Sequence, residues 1–276
     1  MRWLVLAFFG FALPATAEEA RVVSLGGSVS EIVAALGAAD RLVARDTTST
    51  FPESLTALPD VGYLRALSPE GVLSVRPNLI LAEEGAGPPE TMEVLKAAGV
   101  TVVSMPGDPS PAGVLAKITA VAKALNLPDQ GAALAAQVSA GLDAAKAEAT
   151  SITTPRRVLF VLSLQGGRVM AGGQGTEAEG IIALAGGVNA ATGFDGYKPM
   201  TDEAVLAAQP EVILMMDRGG DLAIGDGDVL AQPALAATPA AKAGAILRMD
   251  GGLLLGFGPR TPEAALALHA ALYPKG

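Results

Sequence analysis

The chain has 276 residues, with 19 Lys and Arg against 28 Asp and Glu, a net charge of −9. It therefore lacks the basic surplus that holds phosphate backbones, which excludes nucleic acid as a partner. There is no cysteine and only one histidine, so disulfides, thiol chemistry and a His-rich metal site are excluded as well. Half of the residues are apolar, ample for a core, and the length suits one large or two medium domains.

The first seventeen residues read as a signal peptide. Arg2 is a short positive start, residues 3–13 are an uncharged apolar run, and Ala15-Thr16-Ala17 is a small-x-small cleavage site followed by Glu18-Glu19. A membrane span needs about 20 apolar residues, so this run is too short to remain in a bilayer. Cleavage is expected after Ala17. With no Cys behind the apolar run no lipid anchor is expected, and the mature protein should be soluble in the periplasm.

From there the chain alternates short β-branched runs with longer Ala/Leu segments. Strands are predicted at 21–25, 42–44, 79–82 and 100–104. Helices are predicted at 28–36, stopped by Gly37, at 69–75, and at 91–98, ended by Gly99. That rhythm argues for parallel α/β structure with covered faces. It then breaks: 111–125 is helical, and a long helix follows from 129 to about 150, with Leu134, Val138, Leu142, Ala145 and Ala149 on one stripe. Pro128 suits its first turn and Pro155 stops its far end. The α/β rhythm restarts at 158–162. A long helix between two α/β lobes is the simplest reading, against one continuous domain with an extra surface helix.

Residues 67–81 and 200–214 repeat one unit: a hydroxyl cap (Ser68, Thr201), a Glu in the first turn (Glu70, Glu203), Val-Leu, a Pro seven residues after the Glu, and an apolar strand. The hydroxyl satisfies a free amide of the helix start, and the helix dipole favours an acid there. Pro then forces the chain out of the helix.

These segments carry a resemblance. Residues 21–32 (RVVSLGGSVSEI), 61–71 (VGYLRALSPEG), Arg76-Pro77, 185–190 (AGGVNA), 196–199 (GYKP) and 255–260 (LGFGPR) resemble the periplasmic binding proteins with a rigid interlobe helix, which serve ABC importers of heme, corrinoids and ferric siderophores. Among those the chain most resembles the hemin-binding proteins, over essentially residues 20–272. The Gly62-Tyr63-Leu64-Arg65 block is the most specific part. The fold so implied is α/β: two Rossmann-like lobes with parallel sheets, 18–124 and 155–276, joined by an interlobe helix within 125–154. The implied function is capture of heme as a transported ligand, by a monomer that delivers it to an ABC permease dimer and is not an enzyme.

Tyr63 precedes a capped helix and so sits on a loop at a strand-to-helix junction, where open α/β sheets bind ligands. The resemblance implies that Tyr63 is the axial ligand of heme iron, a hard phenolate donor suited to the ferric state. Arg65 would hydrogen-bond that phenolate and favour its anionic form. Tyr197, Lys198 and Arg218 are candidates for the opposing wall, Arg218 as a partner for propionates. His269, in the apolar helix 262–272, reads as structural, which leaves iron a single protein ligand. The resemblance also implies that Glu70 and Glu203 dock the two permease subunits.

Other readings are weaker. A corrinoid or ferric siderophore would suit the same fold, although one Trp and three Tyr offer few stacking groups for catecholates. Gly173-Gln174-Gly175-Thr176-Glu177-Ala178 fits a dinucleotide fingerprint, with Asp195 near the distance of a ribose-binding acid, but it does not follow the first buried strand of its half. No G-x-S-x-G occurs, which argues against a serine hydrolase. Asp217, Asp221, Asp226 and Asp228 lack EF-hand spacing and read as a solvated loop beside the cleft.

Overall fold

The computed structural model describes residues 20–217 and 223–274. Two separate sheets organise it. The first is wholly parallel, in the order β2 (Leu42–Arg45), β1 (Val22–Leu25), β3 (Leu79–Glu83), β4 (Thr101–Met105). Val22, Val23, Ser24 and Leu25 are all buried, as expected of a strand covered on both faces. Its helices are α1 (Gly27–Ala35), α2 (Pro69–Ser74), α3 (Pro89–Ala97) and α4 (Pro111–Ala124).

The long α5 (Pro128–Thr150) follows and leads into the second lobe. Its predicted stripe is the packed one: Val138, Leu142 and Ala145 are buried, and Leu134 packs partly against the same core. That core is continuous. It takes Val29 and Ile118 from the first lobe, Val138 and Leu142 from α5, and Ile181 and Leu268 from the second lobe. Close approach requires glycine at two points of α5. A Cβ on Gly131 would lie 2.3 Å from that of Ala122 on α4, and one on Gly141 would lie 2.8 Å from Pro262. Gly131→Val should therefore destabilise the protein by about 1–3 kcal/mol, the usual cost of overpacking, measured as a fall in Tm and denaturation midpoint.

The second lobe holds β5 (Arg157–Ser163), β6 (Val169–Gly172), α6 (Glu177–Leu184), β7 (Val188–Asn189), β8 (Tyr197–Met200), α7 (Asp202–Ala208), β9 (Val212–Asp217), α8 (Asp226–Leu230), α9 (Pro233–Ala236), α10 (Pro239–Lys242), β10 (Ile246–Asp250), α11 (Gly251–Leu255) and α12 (Thr261–Leu272). Its sheet order is β10-β9-β5-β6-β8, with β7 also paired to β5. β10, β9, β5 and β7 are parallel, as expected, but β6 pairs antiparallel with both β5 and β8, so this sheet is mixed. The physical reason is the short link after β5. Gly166 and Gly167, both at positive φ, reverse the chain there, whereas a parallel return would need a crossover of about a dozen residues.

The repeated unit is the same object in both lobes. The Ser68 hydroxyl accepts from the Gly71 amide at 3.0 Å, and the Thr201 hydroxyl from the Ala204 amide at 3.2 Å. The likeness extends to backbone torsions. Arg76 (φ 49°) and Gln209 (φ 43°) both turn left-handed immediately before Pro77 and Pro210, and β3 and β9 follow.

Candidate ligand cleft

The loop carrying Tyr63 is built by alternation and by main-chain hydrogen bonds. Val61, Leu64 and Leu67 are buried, while Tyr63 is 47% exposed and Arg65 is exposed as well. Gly62 takes φ 100°, a conformation side chains resist, and its amide donates to Asp60 Oδ1 at 2.8 Å. The Ala66 amide closes a turn onto the Tyr63 carbonyl at 2.8 Å, and Gly87 ties both Leu64 and Leu67 to the loop after β3. A large aromatic ring is thus held outward on a pinned backbone. Among the described residues neither the Tyr63 hydroxyl nor the Arg65 guanidinium has a hydrogen-bond partner. The contact expected between them is not made.

Beneath this loop the ends of β1 and β3 form a polar floor. Gly26 (φ 116°) closes against the Glu83 side chain, and any Cβ there would collide with the carboxylate. Lys117 of α4 is 2% exposed, and its ammonium donates to Glu83 Oε1 at 2.9 Å and to Ser28 Oγ at 3.0 Å. Beside it the fully buried Asp46 carboxylate accepts from the Gly26 and Thr48 amides and the Thr48 and Ser49 hydroxyls. Such complete pairing is what makes buried charge tolerable.

On the second lobe Tyr197 and Lys198 begin the edge strand β8, opposite Gly172 and Ala171 of β6. Lys198 is exposed. Tyr197 is half-buried, its ring edge-on to Phe160 and its hydroxyl donating to Glu177 Oε2 at 2.9 Å. Burial foremost, then the Glu177 charge, pushes its phenol far above the ordinary range. Tyr197 is therefore a neutral wall and not a phenolate donor. The Arg65 charge acts on Tyr197 in the opposite sense. Arg218 lies outside the described residues.

Glu70 and Glu203 are exposed, each at the second position of its helix. The Glu203 carboxyl is held below the usual range by its own backbone amide and the Thr201 hydroxyl. His269 is buried elsewhere, with Nδ1 3.0 Å from the Ala185 carbonyl, Nε2 3.6 Å from Glu148 and its ring against Tyr273.

Comparison with known proteins decides the family. The sequence model of the periplasmic binding proteins matches residues 22–252. The chain belongs to the periplasmic binding protein family. The structure is similar to that of the periplasmic heme-binding protein BhuT in complex with two hemes, at 44% identity and a TM-score of 0.86, over 91% of this chain and 97% of that one. It is similar also to the apo periplasmic heme-binding protein RhuT of Roseiflexus sp. RS-1, at 42% identity and a TM-score of 0.88, over 92% and 98%. The ABC transporter substrate-binding lipoprotein YvrC of Bacillus subtilis is 26% identical over 93% of this chain and 81% of its own length.

In this periplasmic binding protein the fingerprint-like glycines serve the fold. The Gly175 amide, which a dinucleotide phosphate would need, already donates to Glu179 Oε2 at 2.7 Å, and Gly173 is pressed against Phe194. Nor is the acidic run merely solvated. Asp226 pairs with Arg248 at 2.6 Å and Asp228 caps α8 through the Gly225 amide, while Asp217 ends β9 exposed and Asp221 lies outside the described residues. The pairings of Lys117, Glu177 and the buried Glu31 were not legible in the sequence. Lys117 alone left a trace, as a charge on the apolar face made by Val114, Ile118 and Val121.

Proposed function

We propose that this protein captures ferric heme between its lobes in the periplasm, after cleavage of residues 1–17, and delivers it to an ABC permease. The observation that carries the reading is the Tyr63 hydroxyl. It stands outward on a pinned loop without a hydrogen-bond partner among the described residues, with the Arg65 cation two residues away, while Tyr197 is neutral and occupied by Glu177. A ferric ion seeks a hard oxygen donor, and Tyr63 offers one. The heme-binding names of similar chains at 42–44% identity support the same ligand.

The roles then divide. Tyr63 would coordinate the iron, with Arg65 favouring its ionised form, and Tyr197 would cover a face of the macrocycle. Lys198 and Arg218 would meet the propionates. Glu70 and Glu203, equivalent by the repeat, would seat the two lobes on the two permease subunits. The functional division is 18–124 and 155–276, with 125–154 as connector, and the protein acts as a monomer and as a carrier without catalysis. Hemin titrated into the purified protein should give a saturable Soret change with a phenolate-to-iron charge-transfer band. Tighter binding of cobalamin than of hemin in the same assay would assign the cleft to a corrinoid instead.

A further inference from the structure

The segment 255–260 carries specific contacts between the lobes. Phe257 is 3% exposed and holds φ 46°, a left-handed torsion that a bulky residue adopts only under constraint. That torsion sends its ring toward Gly180 of α6 and turns the chain toward the first lobe. There a Cβ on Gly258 would lie 3.2 Å from that of Ser28 at the start of α1.

Arg260 then crosses between the lobes. Its backbone amide donates to Glu31 Oε1 at 3.1 Å and its Nε to Glu31 Oε2 at 2.9 Å, so both carboxylate oxygens are fixed by one residue. Its guanidinium carbon lies 3.6 Å from the ring centroid of Phe51, again on the first lobe. Glu31 is 7% exposed, and burial raises its carboxyl despite the opposing pull of Arg260. The bridge borders a crevice of about 650 Å³ floored by α5, beside the Gly141–Pro262 contact.

We infer that the Glu31–Arg260 bridge is the pivot about which the two lobes change their angle, and that both are positioning residues for the cleft without touching its ligand. Separating the bridge would strand a buried carboxylate, whereas no hydrogen bond ties Tyr63 or Arg65 to the facing wall among the described residues. A change of interlobe angle therefore keeps the bridge made and moves the cleft rims. The pivot rests on the fold; only its effect on ligand release rests on the proposed function.

The absence of cysteine allows clean labelling. Spin labels at Val94→Cys and Leu206→Cys, both exposed and on opposite lobes, report the interlobe distance in the ligand-free protein by double electron–electron resonance. Glu31→Gln should broaden that distribution and speed hemin release about tenfold, within the usual range of coupling between sites, without moving the phenolate band. Phe51→Leu, at an exposed position where folding is safe, should broaden it less. Unchanged distributions in both variants would overturn the pivot, and so would faster release with an unchanged distribution. Misfolding of Glu31→Gln together with an unaffected Phe51→Leu would also overturn it, since the pair would then serve folding alone. A broadened distribution in a protein that does not bind hemin would leave the pivot standing and sink the heme reading.

Discussion

Tyr63→Phe should lower hemin affinity by more than about 100-fold, beyond the ~10–100-fold typical of losing an outer partner of a metal site. The substitution keeps the ring and its contacts and removes only the donor oxygen. Tyr63 is 47% exposed on a loop whose packing rests on Val61, Leu64 and Leu67, so the fold should hold. The phenolate-to-iron charge-transfer absorption should vanish with the affinity. Arg65→Ala should act more mildly, because the ligand remains and must ionise without a nearby cation. Tyr197→Phe should leave that absorption in place, since its phenol is half-buried, neutral and bonded to Glu177. His269→Ala should change neither spectrum nor affinity, given its place between Ala185 and Glu148. Equal losses from Tyr63→Phe and Tyr197→Phe would mean that iron binding is not assigned to the first lobe's loop.

Glu70→Ala combined with Glu203→Ala should abolish hemin uptake in cells while leaving hemin affinity within about twofold, the scale of ordinary surface substitutions. Both side chains are exposed at the starts of short capped helices, and Ser68 and Thr201 keep the caps. Each lost acid should cost the helix dipole about 0.3–1 kcal/mol, too little to unfold the protein. One single variant per lobe should show whether both contacts are needed. Normal uptake by the double variant would remove the docking role. Loss of affinity in the same variant would mean that docking and capture are not separable.

The order of strands and helices in the first lobe, and the long helix after it, were legible because their causes are local. Pro128 and the apolar stripe through Val138, Leu142 and Ala145 define α5 within its own length, and α5 begins and ends where those signals stand. The same holds for the caps at Ser68 and Thr201, whose bonds span three residues. Tyr63 was legible in place, since its neighbours Leu64 and Leu67 turn inward and leave it outside. Its lack of a hydrogen-bond partner among the described residues, and the missing contact to Arg65, were not.

Partnership is what only the tertiary structure decided. The fate of β6 and β8 depended on a reversal at Gly166-Gly167 that reads equally as a loop toward another parallel strand, so Tyr197 landed on an antiparallel edge. Its protonation was set by burial first and then by Glu177, twenty residues back in the chain and brought beside it by α6. Lys117 found Glu83 and Ser28, and Glu31 found Arg260 across 229 residues, where no periodicity reaches. Caps and stripes act over one or two turns of chain and are written in the residues that make them. Charge pairing in a buried site depends on which surfaces the closed fold brings together, and that is fixed only when both lobes have packed on α5.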